Sequence, residues 1–413
     1  MPLIKLGLTV ALSASLLSVV TTAPANAAVP PPVCVAHDAP PPWPMAATVS
    51  AETESTTIPG GITVASTPSD KLSAIGGRNL VPDVAAAGNY LFNWKYPPYG
   101  TAPTTYPNPR GWAVQFAVKG TQNIEFEVYA RQKAAWTMSV DGRPTSAVPD
   151  TEPAITDGRY LIRYPLPDTG EHRIRFSMNN LSLGRVFADP AAEAEVWPVG
   201  GPRVFFLGDS LTQGGAQSTG GEIGSWIWAF AQMCGFDDAW NGGIGGTGSI
   251  ATGRDGLWAD YGTRAATDVA PAAPDLVFIT SYYGDRTHPP GEIAAAFTRT
   301  IETIRALPSQ PAIVVTGTYD PDGRNGSPYT QIDGALAAAC ASLGVPYIEP
   351  RTGLVYDAAG APLAPAGAAG PWITPDNKGT LIGPDGVHQS DAGQAYTAQR
   401  MYDAYRALSA GGV

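Results

Sequence analysis

The stretch at 204–212, Val-Phe-Phe-Leu-Gly-Asp-Ser-Leu-Thr, constrains the fold more than any other part of the chain. Four apolar residues lead straight into Gly208, Asp209 and Ser210. A short apolar run closed by a turn signal reads as a buried strand of a parallel sheet. Such sheets carry their chemistry just beyond the strand C-termini, so Ser210 is delivered where a nucleophile would stand. The Gly-x-Ser-x-Gly elbow does not apply, because Thr212 occupies the place of its second glycine. Downstream, apolar runs at 276–280, 312–316 and 346–348 alternate with helical periodicities over about 222–234, 291–306, 329–342 and 390–409. That alternation predicts a parallel sheet with helices on both faces. In the first helix, Ile223, Trp226, Ile227 and Phe230 share one face and read as core rather than as a cofactor box. Ser390 and Asp391 supply an N-cap for the last helix.

Upstream the period changes. Trp112, Val114, Phe116 and Val118 alternate with smaller or polar residues, as do Ile124, Phe126 and Val128, then Trp136, Met138 and Val140, then Ile174, Phe176 and Met178. Period-two strands at short spacing predict an antiparallel, jelly-roll-like β-sandwich over 71–197. Residues 189–202 read as the link to a second domain over 203–413. The aromatic residues Tyr90, Phe92, Trp94, Tyr96 and Tyr99 could stack on sugars, although capping the end of a sandwich core is the commoner use of such rings. Trp226, Trp240, Trp258 and Trp372 are further stacking candidates in the second domain.

With 413 residues, two domains are the expectation. Residues 1–27 read as a secretory signal: Lys5 ahead of an apolar segment at 6–20, then Ala25-Asn26-Ala27 as a cleavage site. The apolar segment falls short of the ~20 residues of a spanning helix, so the expectation is an exported protein with no membrane span. Residues 28–70, rich in Pro, Ala, Ser and Thr, read as an extended leader, with a short strand at 62–65 that joins the next domain. The formal net charge of −11 argues against nucleic acid or an anionic membrane as partner. Three cysteines, Cys34, Cys234 and Cys340, allow one disulfide in an oxidising compartment. Cys234 and Cys340 both fall near the ends of predicted helices in one domain, which favours that pair.

A serine hydroxyl needs a base within hydrogen-bond reach, and the base needs a partner that fixes its tautomer. Of the four histidines, His37 lies in the leader, His172 in the β domain and His288 in a loop. His388 stands just before the last helix, three residues after Asp385, so one turn can bring carboxylate and imidazole together. The tetrahedral intermediate also needs N–H donors for its oxyanion. The glycine-rich segment 241–248, which reads as a loop, lets backbone N–H groups approach a ligand closely. Two other patterns fail: 320–326 resembles a calcium loop but has Arg324 at the fifth position and no closing Glu, and 242–246 lacks dinucleotide-loop spacing.

Taken in order, these segments resemble the SGNH (GDSL) hydrolases. Gly208-Asp209-Ser210-Leu211 resembles their first block, 241–248 their second, and Asp385-Gly386-Val387-His388 their fifth. The resemblance implies a flavodoxin-like three-layer α/β/α fold, no cofactor and no metal, and ester hydrolysis by Ser210, His388 and Asp385, with the N–H groups of Ser210 and Gly246 as the oxyanion hole. One block departs. The family's third block ends in Gly-x-Asn-Asp, and here Tyr282-Tyr283-Gly284-Asp285 puts Gly284 where the Asn donor belongs. Asn241, Arg286 and the Gly284 N–H are the candidate substitutes. Asn241, Asp285, Arg286 and His288 are also possible substrate contacts, although Asp285 and Arg286 could simply pair with each other. A β-sandwich ahead of such a domain is similar to some carbohydrate acetyl esterases, so an acylated carbohydrate is the expected substrate. A lipid or aryl-ester esterase, and a binding or adhesion protein with a disabled hydrolase domain, are the rivals.

Overall fold

The computed structural model describes residues 29–35, 43, 45–51, 55–66, 71–76, 80–82, 91–93, 111–146, 158–214, 217–218, 224–256, 258–280, 282–324, 326, 328–363 and 370–410. The expected signal at 1–27, His37 and the aromatic candidates Tyr90, Trp94, Tyr96 and Tyr99 lie outside them.

The first half forms one branched sheet built around two long antiparallel strands, Asn123–Val140 and His172–Ala188. The sequence predicts two separate strands at 124–128 and 136–140. No glycine or proline interrupts the segment between them, and the strand runs through. His172–Ala188 shifts register against its partner between Asn179 and Leu181, where Asn180 adopts a left-handed φ of 54°. Asn tolerates that conformation, and the bulge bends the strand. Inward residues of the neighbouring strands meet in one apolar core, in which Phe126 stacks on Phe176 with ring centres 4.0 Å apart. The leader does not stay outside this sheet. Thr48–Ala51 pairs with Gly158–Pro165, and Ile62–Ala65 pairs with His172–Ala188.

The second half is an α/β fold. Its strands lie in the order Asp238–Gly243, Arg203–Gly208, Leu276–Thr280, Ala312–Thr316, Tyr347–Glu349, Leu354–Tyr356, Pro362–Leu363. The first five are parallel and the last two antiparallel. The order reverses beside Arg203–Gly208, the topological switch point at which doubly wound sheets place their sites. Alternate residues of each central strand feed opposite cores. Val204, Phe206, Leu276 and Phe278 pack beneath the helices Trp226–Cys234 and Asp391–Ala410. Phe205, Leu207, Val277 and Ile279 pack against Pro290–Arg305 and Tyr329–Leu343 on the other side. Both faces are apolar, which is why the strands read as unbroken hydrophobic runs. Asp238–Gly243 escaped the sequence reading as a strand: half of it is Asn-Gly-Gly, so the segment 241–248 is part strand and part turn.

The disulfide corrects the expected pairing. Cys34 joins Cys234, and Cys340 is a buried free thiol. Cys234 lies in the core on one side of the parallel sheet and Cys340 in the core on the other, so the sheet itself separates them. Cys34 reaches Cys234 because residues near it lie along the last helix, where the Tyr405 hydroxyl donates to the Pro32 carbonyl at 2.6 Å. The bridge closes a sequence separation of 200 residues. Constraining so long a loop stabilises the folded state by about 2–5 kcal/mol. Cys34→Ser should therefore lower the thermal midpoint measured by calorimetry, and an unchanged midpoint would show that the bridge adds nothing to stability.

Candidate active site

The strand Arg203–Gly208 ends at Asp209, which caps the single-turn helix Ser210–Gln213. The Leu211 N–H donates to Asp209 Oδ1 at 2.9 Å, and the Tyr283 N–H donates to Oδ2 at 3.1 Å. Asp209 is buried, so this one carboxylate fixes Ser210 at the helix start and ties it to the segment after Leu276–Thr280.

His388 arrives from the far end of the chain. Its Nε2 lies 2.8 Å from Ser210 Oγ, and its Nδ1 lies 2.7 Å from Asp385 Oδ2. Asp385 Oδ1 accepts the N–H groups of Val387 and His388 at 2.9 and 3.0 Å, so the Asp-x-x-His turn holds its own geometry. Partial burial pushes the Asp385 carboxyl up, but those N–H groups and the imidazole outweigh it and bring the carboxyl down to about 2. It is thus an anion at any pH near neutral. The Tyr319 hydroxyl donates to the Val387 carbonyl at 2.9 Å and anchors the turn from the sheet side.

The turn after Asp238–Gly243 lies alongside the serine. A methyl group on Gly245 would sit 3.5 Å from Ser210 Cβ. Gly246 has a φ of 77°, a conformation that needs glycine, and its N–H meets no acceptor among the described residues. Two buried ionic groups hold this turn. Arg264 is fully buried, pairs with Asp268 at 3.0 Å, and donates to the Gly208 carbonyl and Thr247 Oγ1, each at 3.0 Å, and to the Gly242 carbonyl. Asp285 is fully buried and accepts the N–H groups of Ser249, Ile250 and Ala251 at 2.6, 3.1 and 2.8 Å. Burial holds its carboxyl above the usual range, although those three donors oppose the shift.

These contacts revise several expectations. Asp285 lies beneath the loop as its support and does not face a substrate. It does not pair with Arg286, whose exposed guanidinium lies over the Tyr283 ring. Asn241 is committed to the strand end: its Nδ2 donates to the Gln213 carbonyl at 3.2 Å and its Oδ1 accepts the Gly243 N–H at 2.9 Å. His288 is half-buried, and its N–H donates to the Asp285 carbonyl at 2.8 Å. Trp226, Trp240 and Trp372 are buried packing residues, and Trp258 is half-buried. The sequence reading missed Arg264. Its only local signal is the i, i+4 spacing to Asp268, which is common on exposed helices.

Gly284 has a packing reason. A Cβ at this position would lie 2.7 Å from the Thr247 carbonyl oxygen and 3.1 Å from that of Gly246. The Gly246–Thr247 main chain fills the space in which an Asn side chain would begin. Any side chain here must displace the Gly246–Thr247 turn.

Residues 206–396 match the GDSL-like Lipase/Acylhydrolase family, and this part of the chain is a GDSL-like acylhydrolase domain. No curated protein sequence matches the chain significantly. Among solved structures, the fold is similar to the salicylyl-acyltransferase SsfX3 from a tetracycline biosynthetic pathway, at 15% identity over 84% of this chain and 97% of that one, with a TM-score of 0.60. It is also similar to a family two carbohydrate esterase from Cellvibrio japonicus, at 13% identity, 88% and 99% coverage and a TM-score of 0.55. A third is the acetyl xylan esterase Est2A from the rumen bacterium Butyrivibrio proteoclasticus, at 13% identity, 84% and 98% coverage and a TM-score of 0.51. At these identities the likeness is one of fold. Its coverage extends it beyond residues 206–396 into the first sheet. No helix among the described residues is long and apolar enough to cross a membrane.

Two substitutions test the loop supports. Asp285→Ala leaves three N–H groups without their acceptor and should destabilise the protein by about 3 kcal/mol or more in denaturant titration. Gly284→Asn should reduce activity despite supplying the side chain usual in this family; a gain in kcat would overturn the packing account.

Proposed function

We propose that the chain is an exported serine esterase that removes acyl groups, foremost acetyl groups, from a carbohydrate. The observation that carries this reading is the continuous relay from Ser210 Oγ through both ring nitrogens of His388 to Asp385, at 2.8 and 2.7 Å. In this reading residues 1–27 direct export, residues 71–197 form a β-sandwich that strands of the leader join, and the hydrolase domain begins at 203. The disulfide fits an oxidising compartment. The carbohydrate preference draws on the fold shared with carbohydrate esterases, carried here as analogy.

The chemistry follows from the geometry. Ser210 Oγ attacks the ester carbonyl while His388 Nε2 takes its proton. Asp385, already ionised, holds Nδ1–H and stabilises the imidazolium. The N–H groups of Ser210 and Gly246 receive the developing oxyanion. His388 then protonates the departing alcohol, and water, activated by the same imidazole, releases the acid from Ser210. The oxyanion hole relies on main-chain donors, since position 284 offers no side chain.

Ser210→Ala should lower kcat on p-nitrophenyl acetate by about 10⁴-fold or more and abolish fluorophosphonate labelling. Activity of the variant equal to wild type would sink the mechanism. Acetate turned over faster than butyrate and octanoate supports deacetylation, whereas the reverse order supports a lipid esterase. Wild-type protein inert to every ester and to fluorophosphonate would leave the binding-protein reading. Asp385, at about 2, is an anion from about pH 4 upward, so Asp385→Asn should lower kcat/KM across that whole range, and a variant equal to wild type there would contradict the assignment.

A further inference from the structure

One cation at the rim of the site has no role in the chemistry above. Arg286 Nη1 donates to the Tyr283 carbonyl at 3.1 Å, and the guanidinium carbon lies 4.2 Å from the centre of the Tyr283 ring. Tyr283 in turn stacks on Tyr329, with centres 6.2 Å apart and planes 22° from parallel. The cation is therefore clamped by main chain and ring, although the residue is exposed. Two acidic residues of the neighbouring loops are engaged elsewhere. Asp285 points into the loop above it, and the Asp320 oxygens accept the N–H groups of Asp322 and Gly326 at 3.0 and 3.3 Å. Among the described residues no carboxylate pairs with Arg286.

The cluster stands close to the nucleophile. The Tyr283 N–H donates to Asp209, the residue before Ser210. The Tyr283 ring packs on the apolar cluster that contains Leu211, and Val387 packs on the same cluster; these two are chain neighbours of Ser210 and His388. A guanidinium clamped over the Tyr283 ring presents a donor fork that matches a carboxylate and loses little freedom on binding it. The aromatic pair offers a face for a ring or an alkyl chain next to that carboxylate. The chain as a whole is an anion, with net charge −11. Attraction of a negative substrate must then come from this local contact and not from the overall field.

We propose that Tyr283, Arg286 and Tyr329 form a subsite for a carboxylate carried by the substrate beside its scissile ester. This rests on the esterase reading above and names its substrate class: an acidic ester rather than a neutral one. The carboxylate can sit on the alcohol side, as in an O-acetylated uronic acid, or on the acyl side, as in a half-ester of a dicarboxylic acid.

Two matched substrate pairs test it. One is an O-acetyl galacturonic acid glycoside against its methyl ester, and the other is p-nitrophenyl hemisuccinate against p-nitrophenyl butyrate. Wild-type protein should prefer the anionic member of one pair by about tenfold in kcat/KM, with the difference in KM. The pair that shows it identifies the side on which the carboxylate is read. In Arg286→Gln the anionic-to-neutral ratio should fall to about one. A wild-type ratio near one in both pairs, or a ratio unchanged in the variant, overturns the proposal. If no ester is turned over, the esterase reading fails. The subsite is then decided by calorimetric titration with galacturonate oligomers, where equal binding by wild type and Arg286→Gln refutes it.

Discussion

The site depends on one buried cation. Arg264 sits beneath the ends of two adjacent parallel strands and collects carbonyls there, at Gly208 and Gly242, together with the Thr247 hydroxyl. A buried guanidinium is tolerated only when paired and fully hydrogen-bonded, and Asp268 one turn along supplies the counter-charge. The strand that carries Ser210 and the turn that carries Gly246 therefore share a single anchor. Asp285 completes the arrangement with opposite polarity: the cation gathers carbonyls on one side of the turn, and the anion gathers N–H groups further along. Between them the turn beside Ser210 has few ways to move.

How much of this the sequence displayed follows from whether the signal was local. The apolar runs at 204–207, 276–280 and 312–316 are legible because both faces of a parallel strand are buried, so the run is unbroken. Asp385 and His388 are legible because three residues of chain suffice to bring them together. The approach of His388 to Ser210 spans most of the domain and could be read only by resemblance. Asp238–Gly243 hid as a strand because close packing against Phe205 and the helix at Ser210–Gln213 selects glycine, the residue that otherwise signals a loop. The disulfide is not legible because a shared domain and a place near a helix end say nothing about which face of a sheet a side chain occupies. The support role of Asp285 is not legible because a resemblance gives its place in a motif but not its burial.

The glycine at 284 changes meaning in this setting. Against the motif it resembles, it is a missing side chain. Seen with Gly246 and Thr247, it lets the main chain of that turn close onto the neighbouring loop. A missing side chain and close packing are two descriptions of one feature, and a side chain cannot be placed at that position without displacing the turn.

The bridge between Cys34 and Cys234 gives the molecule an unusual covalent topology. The whole first sheet and the strand leading to Ser210 lie inside the closed ring of chain it creates. A protease that cuts the link near 197–202 would thus produce two fragments that stay joined until a reductant is added. Synthesis proceeds from the N-terminus, so the residues around Cys34 must also wait for their partner until the helix that ends at Cys234 has been made.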